Sequence, residues 1–251
     1  MRPSRFLSGF RPVFTALLIF LTLNFSFFAV LFLYPSLLDW LWLSADRPWG
    51  ILTSVFSHVD LEHIFSNVAG FIFASALFIL INLRKSRQTR HRLSRRFLLL
   101  AFLAGIGANV LEYPFLLTSL KSAYGASGVV YGALGIVLSC AIQDLPDNFR
   151  FLMRGRQRLA GRRRKRVLRF SAIGVKFYSS LMSLSLVISL LILVVLDVSS
   201  FLSVAPGVDV FAHGVGFLIG FLSFGALRIL DRKYRRHLSN SNGPRFFGSI
   251  L

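Results

Sequence analysis

The chain has 251 residues, of which 55% are hydrophobic, and its formal net charge is +19. This combination excludes an ordinary soluble domain and is typical of a membrane protein with basic loops. The single cysteine, Cys140, excludes an internal disulfide framework and, because it stands in an apolar run, is predicted to be a small core residue. We therefore predict an all-α membrane protein.

Six apolar runs are long enough, or nearly long enough, to cross a bilayer about 30 Å thick. The first run follows basic residues as a signal sequence does, but it is long and lacks a cleavage site, so a retained anchor is expected. We predict a basic arm over 1–12, a six-helix membrane domain over 13–230 and a basic tail over 231–251. The predicted spans lie near residues 13–34, 61–83, 97–118, 125–144, 175–196 and 209–230.

The basic residues are concentrated in four segments. Nearly all of the 29 Lys and Arg residues lie in the N-terminal arm and over 84–96, 150–169 and 228–245. In a six-span chain these segments share one side, which the positive-inside rule makes cytoplasmic, so both termini are predicted there. We expect contact with anionic lipid head groups, most simply in a plasma (inner) membrane. Nucleic acid is not expected, because no aromatic residues are interleaved with the charges.

The connections on the two sides differ in character. Residues 84–96 and 145–172 are predicted to be basic loops, partly helical along the membrane surface. On the other side, residues 35–60 are rich in Trp, Leu and Phe. Because tryptophan suits the head-group region, this first loop is predicted to lie partly within the membrane.

A small set of polar side chains stands inside or beside the apolar runs, toward the ends that face away from the basic segments. Polar groups are costly in a membrane and indicate function by default. Taken singly, each histidine is explained by hydrogen bonding between helices, and the serine by small-residue packing. Together they bring a hydroxyl, imidazoles and an amide to one depth. The residues are His58, His63, Asn67, Ser127, Tyr131 and His213.

Two of these residues have the chemistry of a nucleophile and its base. A serine hydroxyl is a weak nucleophile until a base accepts its proton, and His213 is the candidate base for Ser127. Ser127 is predicted to begin a helix, where unpaired N–H groups favour developing negative charge. Tyr131 is predicted to pack against the imidazole, and the nearest carboxylate, Asp209, is expected at the water interface. The pattern predicts a Ser–His dyad for acyl transfer.

The same set offers donors for an oxyanion. His63 and Asn67 are four residues apart and therefore share one helical face. The amide NH2 of Asn67 and a ring N–H of His63 are the types of donor that stabilise an oxyanion in acyl transfer. His58 lies shortly before them.

Glycines follow the helices that carry the predicted dyad. Small faces let membrane helices approach closely, as a serine on one helix and a histidine on another require. The predicted packing glycines are Gly125, Gly128, Gly132 and Gly135 around the fourth span, and Gly216 and Gly220 in the sixth.

Three segments resemble the signatures of a known family. "HVDLEHIFSN", "GASGVVYG" and "AHGVGFLIG" are similar, in this order, to those of rhomboid intramembrane serine proteases, and "RPWGILTSVFSH" resembles that family's first loop. The resemblance covers about residues 47–225. Many members carry Arg after the loop tryptophan, whereas this chain has Gly50 after Trp49.

The resemblance implies a fold, an activity and residue roles. It implies a six-helix bundle that cleaves transmembrane segments of protein substrates near the outer face without a cofactor. Ser127 would be the nucleophile and His213 the base. His63 and Asn67, with the Ser127 backbone N–H, would form the oxyanion hole, and His58 would be a structural hydrogen-bonding residue.

Other hypotheses stay open at this point. A catalytically inactive relative would bind membrane clients without cutting them, although such proteins typically lack the Ser or the His. A transporter would want carboxylates near the middle of the bilayer, and Glu112, Asp144 and Asp197 all lie near span ends. A metal site made of the histidines His58, His63 and His213 is a further alternative. The oligomeric state and the natural substrate are not predicted.

Overall fold

The computed structural model describes residues 7–118, 122–157, 188 and 210–240. Within these residues, five helices are long and apolar enough to cross a membrane. They are α1 (Arg11–Leu33), which follows a 3-10 turn at Ser8–Phe10, α2 (Leu61–Asn82), α3 (Arg87–Leu116), α4 (Ser127–Gln157) and α5 (Val210–Asn240). These helices confirm five of the predicted spans. The sixth, predicted over 175–196, lies outside the described residues except for Ile188.

The connection between α1 and α2, residues 34–60, is called the first loop below. It is built from short helical pieces rather than from extended chain: Pro35–Leu37, Leu38–Leu41, Gly50–Thr53 and Ser54–Phe56. Extended pairing among the described residues is limited to two isolated antiparallel bridges, Leu43 with Ala123 and Ser44 with Arg47. The first of these attaches the loop to the segment before α4.

Helix α3 begins earlier than the predicted span. The basic residues expected to form a surface loop continue the helix, which Ser86 caps by accepting a hydrogen bond from the Thr89 N–H at 3.3 Å. One face of this basic turn is buried, with the Arg90 guanidinium over the Phe10 ring and the Ser94 hydroxyl on the Gly9 carbonyl. Tertiary contact and the good helix propensity of arginine therefore extend α3 beyond its apolar part.

Helices α4 and α5 also extend beyond the predicted spans. Helix α4 runs to Gln157 through Pro146, and α5 continues to Asn240, into the predicted tail. An apolar run marks only the part of a helix that is suited to lipid. A helix itself ends where its backbone hydrogen bonds end, and charged residues with good helix propensity do not end it.

Helix α4 is the central helix of the described bundle. Of the most apolar stretch of this helix, 72% is buried, against 22–39% for the corresponding stretches of the other four helices. It packs against α2, α3 and α5. Cys140 is fully buried in it, as predicted. Lipid provides little hydrophobic drive for helix association, so this packing depends on close contact between surfaces.

The two ends of the bundle carry different side chains. The end of the bundle at which α2 ends is called the basic end. There, Asp144 of α4 forms ion pairs with Lys85, at 2.7 Å, and with Arg228. Asp231 of α5 is held there by Arg96 of α3 at 2.7 and 2.9 Å. At the opposite end, called the serine end, α4 begins at Ser127. The predicted site residues lie at that end.

Candidate active site

The turn before α4 presents Ser127 as the first residue of that helix, as predicted. The carbonyl of Ala126 accepts hydrogen bonds from the N–H groups of Val129 and Val130, so the helix begins there. The N–H groups of Ser127 and Gly128, which come before these two, have no carbonyl one turn earlier within the helix and point toward the serine end. Ser127 is half-buried. A nucleophile in this position has backbone donors and the positive helix end beside it.

Gly125 is placed differently from its prediction as a helix-packing residue. It lies two residues before α4, with a φ of +108° that favours glycine. A Cβ atom here would lie 2.6 Å from Cε1 and Nε2 of His63. Gly125 therefore packs against the His63 ring of α2 from the turn before α4, rather than from within α4.

The imidazole of His213 lies flat on the ring of Tyr131. Their centroids are 4.2 Å apart and the rings are 9° from parallel. Tyr131 follows Ser127 by four residues, so both occupy one face of α4. The stack therefore fixes the plane of the imidazole on the face of α4 that carries the serine.

Glycines bring α4 and α5 into backbone contact. A Cβ added to Gly216 would lie 2.5 Å from the carbonyl oxygen of Gly128, and one added to Gly220 would overlap the carbonyl of Gly132. A Cβ on Gly132 would meet the Gly216 carbonyl oxygen at 3.4 Å. By contrast, no atom of the described residues lies within 4 Å of a Cβ on Gly214. The contact is thus confined to one face of α5, the face predicted from the spacing of the glycines.

His58, His63 and Asn67 form one cluster at the start of α2. Asp60 caps this helix by accepting the His63 N–H at 2.7 Å. The amide nitrogen of Asn67 lies 3.1 Å from Nε2 of His58 and 3.1 Å from the carbonyl oxygen of His63. The rings of His58 and His63 meet edge to face with centroids 4.9 Å apart. Both hydrogens of the Asn67 amide are therefore engaged within the cluster.

His58 is a neutral hydrogen-bond acceptor in this cluster. It is 1% exposed, and burial, followed by the nearby His63 imidazole, lowers the pKa of His58 to about 4. Its Nδ1 lies 3.4 Å from the Phe56 carbonyl oxygen, so Nδ1 carries the proton and Nε2 accepts from Asn67. This arrangement fits the structural role that the family resemblance implies for His58.

Three residues near the site were not singled out from the sequence. Tyr124 meets the His63 ring edge to face at 5.7 Å. Ser54 accepts the Gly125 N–H at 2.8 Å through its carbonyl, and Asn109 of α3 donates to the Ser54 hydroxyl at 3.0 Å. An asparagine inside an apolar span is a visible signal, but its partner in the first loop is not evident from spacing along the chain.

The described residues offer little to a metal ion. No group of three or more His, Cys, Asp or Glu side chains in this part of the chain is arranged to hold one. The Nε2 atom of His58 is bonded to Asn67, which occupies one ligand of the three-histidine alternative.

Comparisons with known proteins agree on one family. The sequence model of the Rhomboid domain matches residues 45–229. RHOMBOID-like protein 4 of Arabidopsis thaliana is 26% identical over 202 residues, which cover 80% of this chain and 39% of that protein. The chain therefore spans well under half the length of this curated relative. No solved structure matches the chain significantly.

Proposed function

This chain belongs to the rhomboid family of membrane proteins, and from that premise we propose that it is an intramembrane serine endopeptidase. The observation that carries the proposal is the stack of His213 on Tyr131, one helical turn from Ser127 on the same face of α4. The glycine contact between α4 and α5 supports it, because a serine on one helix can reach a histidine on the other only when the two helices lie close together.

In the proposed reaction, the Ser127 hydroxyl attacks the carbonyl carbon of the scissile peptide bond while its proton passes to His213. The tetrahedral oxyanion is held by the Ser127 N–H, the His63 ring and Asn67. The two amide hydrogens of Asn67 now bond to His58 and to the His63 carbonyl. Asn67 contributes when one of these hydrogens turns to the oxyanion. The C–N bond then breaks, and His213 returns the proton to the leaving amine.

The second half of the cycle releases the acyl-enzyme. Water gives a proton to His213 and adds to the ester carbonyl, and the Ser127 oxygen leaves as the proton returns to it. Tyr131 keeps the imidazole in one orientation during both halves, a task that a carboxylate performs in a catalytic triad.

The proposed substrates are transmembrane segments of other proteins. A peptide carbonyl in a membrane helix is hydrogen-bonded to its own helix, so the segment must unwind at the cut. Small or helix-breaking residues near the outer end of the segment favour this unwinding. The serine end, where Ser127 lies, is the end at which the cut is made.

We also propose that the chain crosses a plasma (inner) membrane six times, with both termini and the basic end in the cytoplasm and the basic segments on anionic lipid. Cys140 is buried and is the only cysteine of the sequence. The labelling of a cysteine introduced at another position therefore reports on which side of the membrane that position lies. In intact cells, an impermeant maleimide should label Asp46→Cys in the first loop, and it should label Ser4→Cys and Ser249→Cys only after permeabilisation. Labelling of either terminus in intact cells contradicts this topology.

The direct test of the activity is labelling with a fluorophosphonate, together with cleavage of a reporter transmembrane segment. Wild type should be labelled and should cleave, whereas Ser127→Ala and His213→Ala should do neither while still accumulating in the membrane. Ser139→Ala, at a second serine of α4 that is buried, is the control and should retain both activities. A folded wild type that binds the reporter but is neither labelled nor active would favour the client-binding alternative over the protease.

A further inference from the structure

The side chain of Asn109 attaches the first loop to α3. The Asn109 amide donates one hydrogen to the Ile51 carbonyl oxygen at 2.9 Å and the other to the Ser54 hydroxyl at 3.0 Å. Asn109 is 7% exposed and Ser54 is 1% exposed. One turn farther along α3, the Tyr113 hydroxyl donates to the Ala45 carbonyl at 3.1 Å. One face of α3 therefore holds two separate parts of the loop.

The same loop is bonded to the segment that leads into α4. Leu43 and Ala123 exchange two backbone hydrogen bonds, each of 2.9 Å, and Ser54 accepts the Gly125 N–H at 2.8 Å. The loop thus holds the backbone on both sides of Tyr124. Ser127 follows Gly125 by two residues, and Gly125 itself packs against the His63 ring.

The loop contains little slack between these attachments. A Cβ on Gly50 would lie 2.5 Å from the Cα of Leu43 and 2.5 Å from the Trp42 carbonyl oxygen. The backbone at Gly50 is therefore in contact with the backbone of the earlier part of the loop. The Thr53 hydroxyl adds a bond to the Leu41 carbonyl at 2.7 Å. A displacement at Ser54 is therefore passed on to Gly125 rather than absorbed within the loop.

From these contacts we propose that Asn109 is a positioning residue for the proposed hydrolysis: through Ser54 and Gly125 it sets where the Ser127 nucleophile and its backbone N–H lie relative to His63. Asn109 touches no reacting atom. The inference rests on the proposed function, since it assigns Asn109 a part in the chemistry of that site. It also explains how a loop with Gly50 after Trp49 is held, because the attachment comes from α3 rather than from a side chain at position 50.

The test variant is Asn109→Leu, which has nearly the same size but no hydrogen to donate. A shift of about 1 Å in the reacting groups costs on the order of 10²-fold in rate. We expect kcat for the reporter, and the rate of fluorophosphonate labelling, to fall by about that factor per folded molecule, with KM almost unchanged. Ser54→Ala loses one acceptor but keeps its backbone carbonyl on Gly125, so a much smaller loss is expected, and it serves where Asn109→Leu folds poorly.

Asn24→Leu is the matched control. Asn24 is also a buried asparagine in a membrane helix, but within the described residues its amide bonds only to the Phe20 carbonyl of its own helix, at 2.7 Å. Its kcat and labelling rate should equal those of wild type. An Asn24→Leu variant that loses as much kcat per folded molecule as Asn109→Leu would contradict a specific role for Asn109.

Hydrogen exchange separates this inference from the proposed activity. Fragments that contain Gly125 should exchange roughly five- to tenfold faster in Asn109→Leu than in wild type or Asn24→Leu, because the Gly125–Ser54 bond is loosened. If wild type is labelled but Asn109→Leu leaves both kcat and exchange unchanged, the inference is overturned. If exchange accelerates but wild type shows no hydrolase activity, the proposed function fails while the structural connection holds, and the positioning role of Asn109 in hydrolysis fails with the function.

Discussion

The serine end and the basic end of the bundle are held together by different kinds of interaction. At the serine end, neutral hydrogen bonds join Asn67 to His58 and Asn109 to Ser54, and the backbones of α4 and α5 touch at glycines. At the basic end, charged side chains join the helices through Asp144 and Asp231. Neutral bonds and backbone contacts fix atoms at short range, as chemistry requires. The ion pairs at the basic end are made by long, flexible side chains, so they hold helices together with less demand on exact position.

This comparison predicts that substitutions at the two ends affect different quantities. Changes at the basic end should lower the free energy of unfolding and leave kcat per folded molecule alone. Changes at the serine end should lower kcat even where unfolding is little affected. The predictions below test each half of that statement.

The largest expected effect on stability is that of Asp144→Asn. The side chains of Lys85, Asp144 and Arg228 are only 12–18% exposed, so removing the carboxylate leaves two cations close together without their counter-charge. Breaking a buried ion pair costs about 3 kcal/mol at the low end of its range, which suits partly exposed groups. Thermal unfolding in detergent should show this loss, while kcat at temperatures where the protein is folded stays at the wild-type value.

The control for that variant is Asp46→Asn in the first loop. The Asp46 side chain is 70% exposed and pairs with Arg47 at 3.5 Å, a surface interaction of little consequence. Its unfolding temperature should match wild type. A kcat that falls with Asp144→Asn in folded protein would contradict the division between the two ends.

The next effect concerns Gly216→Ala at the serine end. The added methyl meets backbone atoms of Gly128, which cannot rotate away as a side chain would, so α5 must move from α4 and carry His213 with it. A shift of about 1 Å corresponds to roughly 10²-fold in kcat, or about 2.7 kcal/mol of activation free energy. Reporter cleavage in liposomes measures it.

Gly214→Ala provides a control two residues away on the same helix. Its Cβ would have no neighbour within 4 Å in the part of the chain that the structure describes, so the same chemical change has space there, and activity should be that of wild type. Equal activity in Gly216→Ala and Gly214→Ala would mean that the glycine contact does not set the position of His213.

How far the sequence predicts these two ends follows from the range of the interactions. Five spans and the glycine face of α5 were predictable, because helical periodicity relates residues three, four and seven apart on one helix. The stack of Tyr131 on His213 was also predicted and is confirmed, since the signature segments bring those residues together. The start of α4 at Ser127 follows from the same signature.

What the sequence did not predict depends on contacts between distant segments. The extension of α3 to Arg87 depends on burial of Arg90 and Ser94 against the chain before α1. The bond from Asn109 to Ser54 joins residues 55 positions apart, and no periodicity relates them. Gly125 was expected to pack within the helix contacts of α4, but it packs against His63 of α2 from a turn with positive φ, and the sequence spacing did not predict that turn.

A smaller effect per pH unit is expected when the His58 cluster is titrated. The pKa of His58 is about 4 in the fold and near 6.5 in an unfolded chain, so its contribution to stability is complete above pH 6.5 and is lost as pH falls toward 4. Within that window the free energy of unfolding falls by at most about 1.4 kcal/mol per pH unit from this group. Unfolding temperatures measured from pH 7 to pH 4 give the slope.

His58→Gln is the comparison variant for that titration, because Gln offers Asn67 an acceptor but does not titrate. Its slope over the same window should be shallower than that of wild type, whatever its stability at pH 7. Parallel slopes would show that His58 takes up no proton on unfolding and is not held neutral by burial.

The smallest effect is expected for Arg96→Lys at the basic end. Arg96 binds both oxygens of Asp231 through two guanidinium nitrogens, at 2.7 and 2.9 Å, and a lysine ammonium lacks this fork. The side chains are 21% and 24% exposed, and Arg92 lies 3.6 Å from the same carboxylate, so the loss should be about 0.5–1 kcal/mol. Salt screens such partly exposed pairs, so the difference in the free energy of unfolding between Arg96→Lys and wild type should be smaller at about 1 M NaCl than at about 0.05 M.

In an Asp231→Asn background, Arg96→Lys should have no further effect, and kcat should be unchanged throughout. A loss that persists in that background would mean that Arg96 stabilises the basic end through contacts other than Asp231.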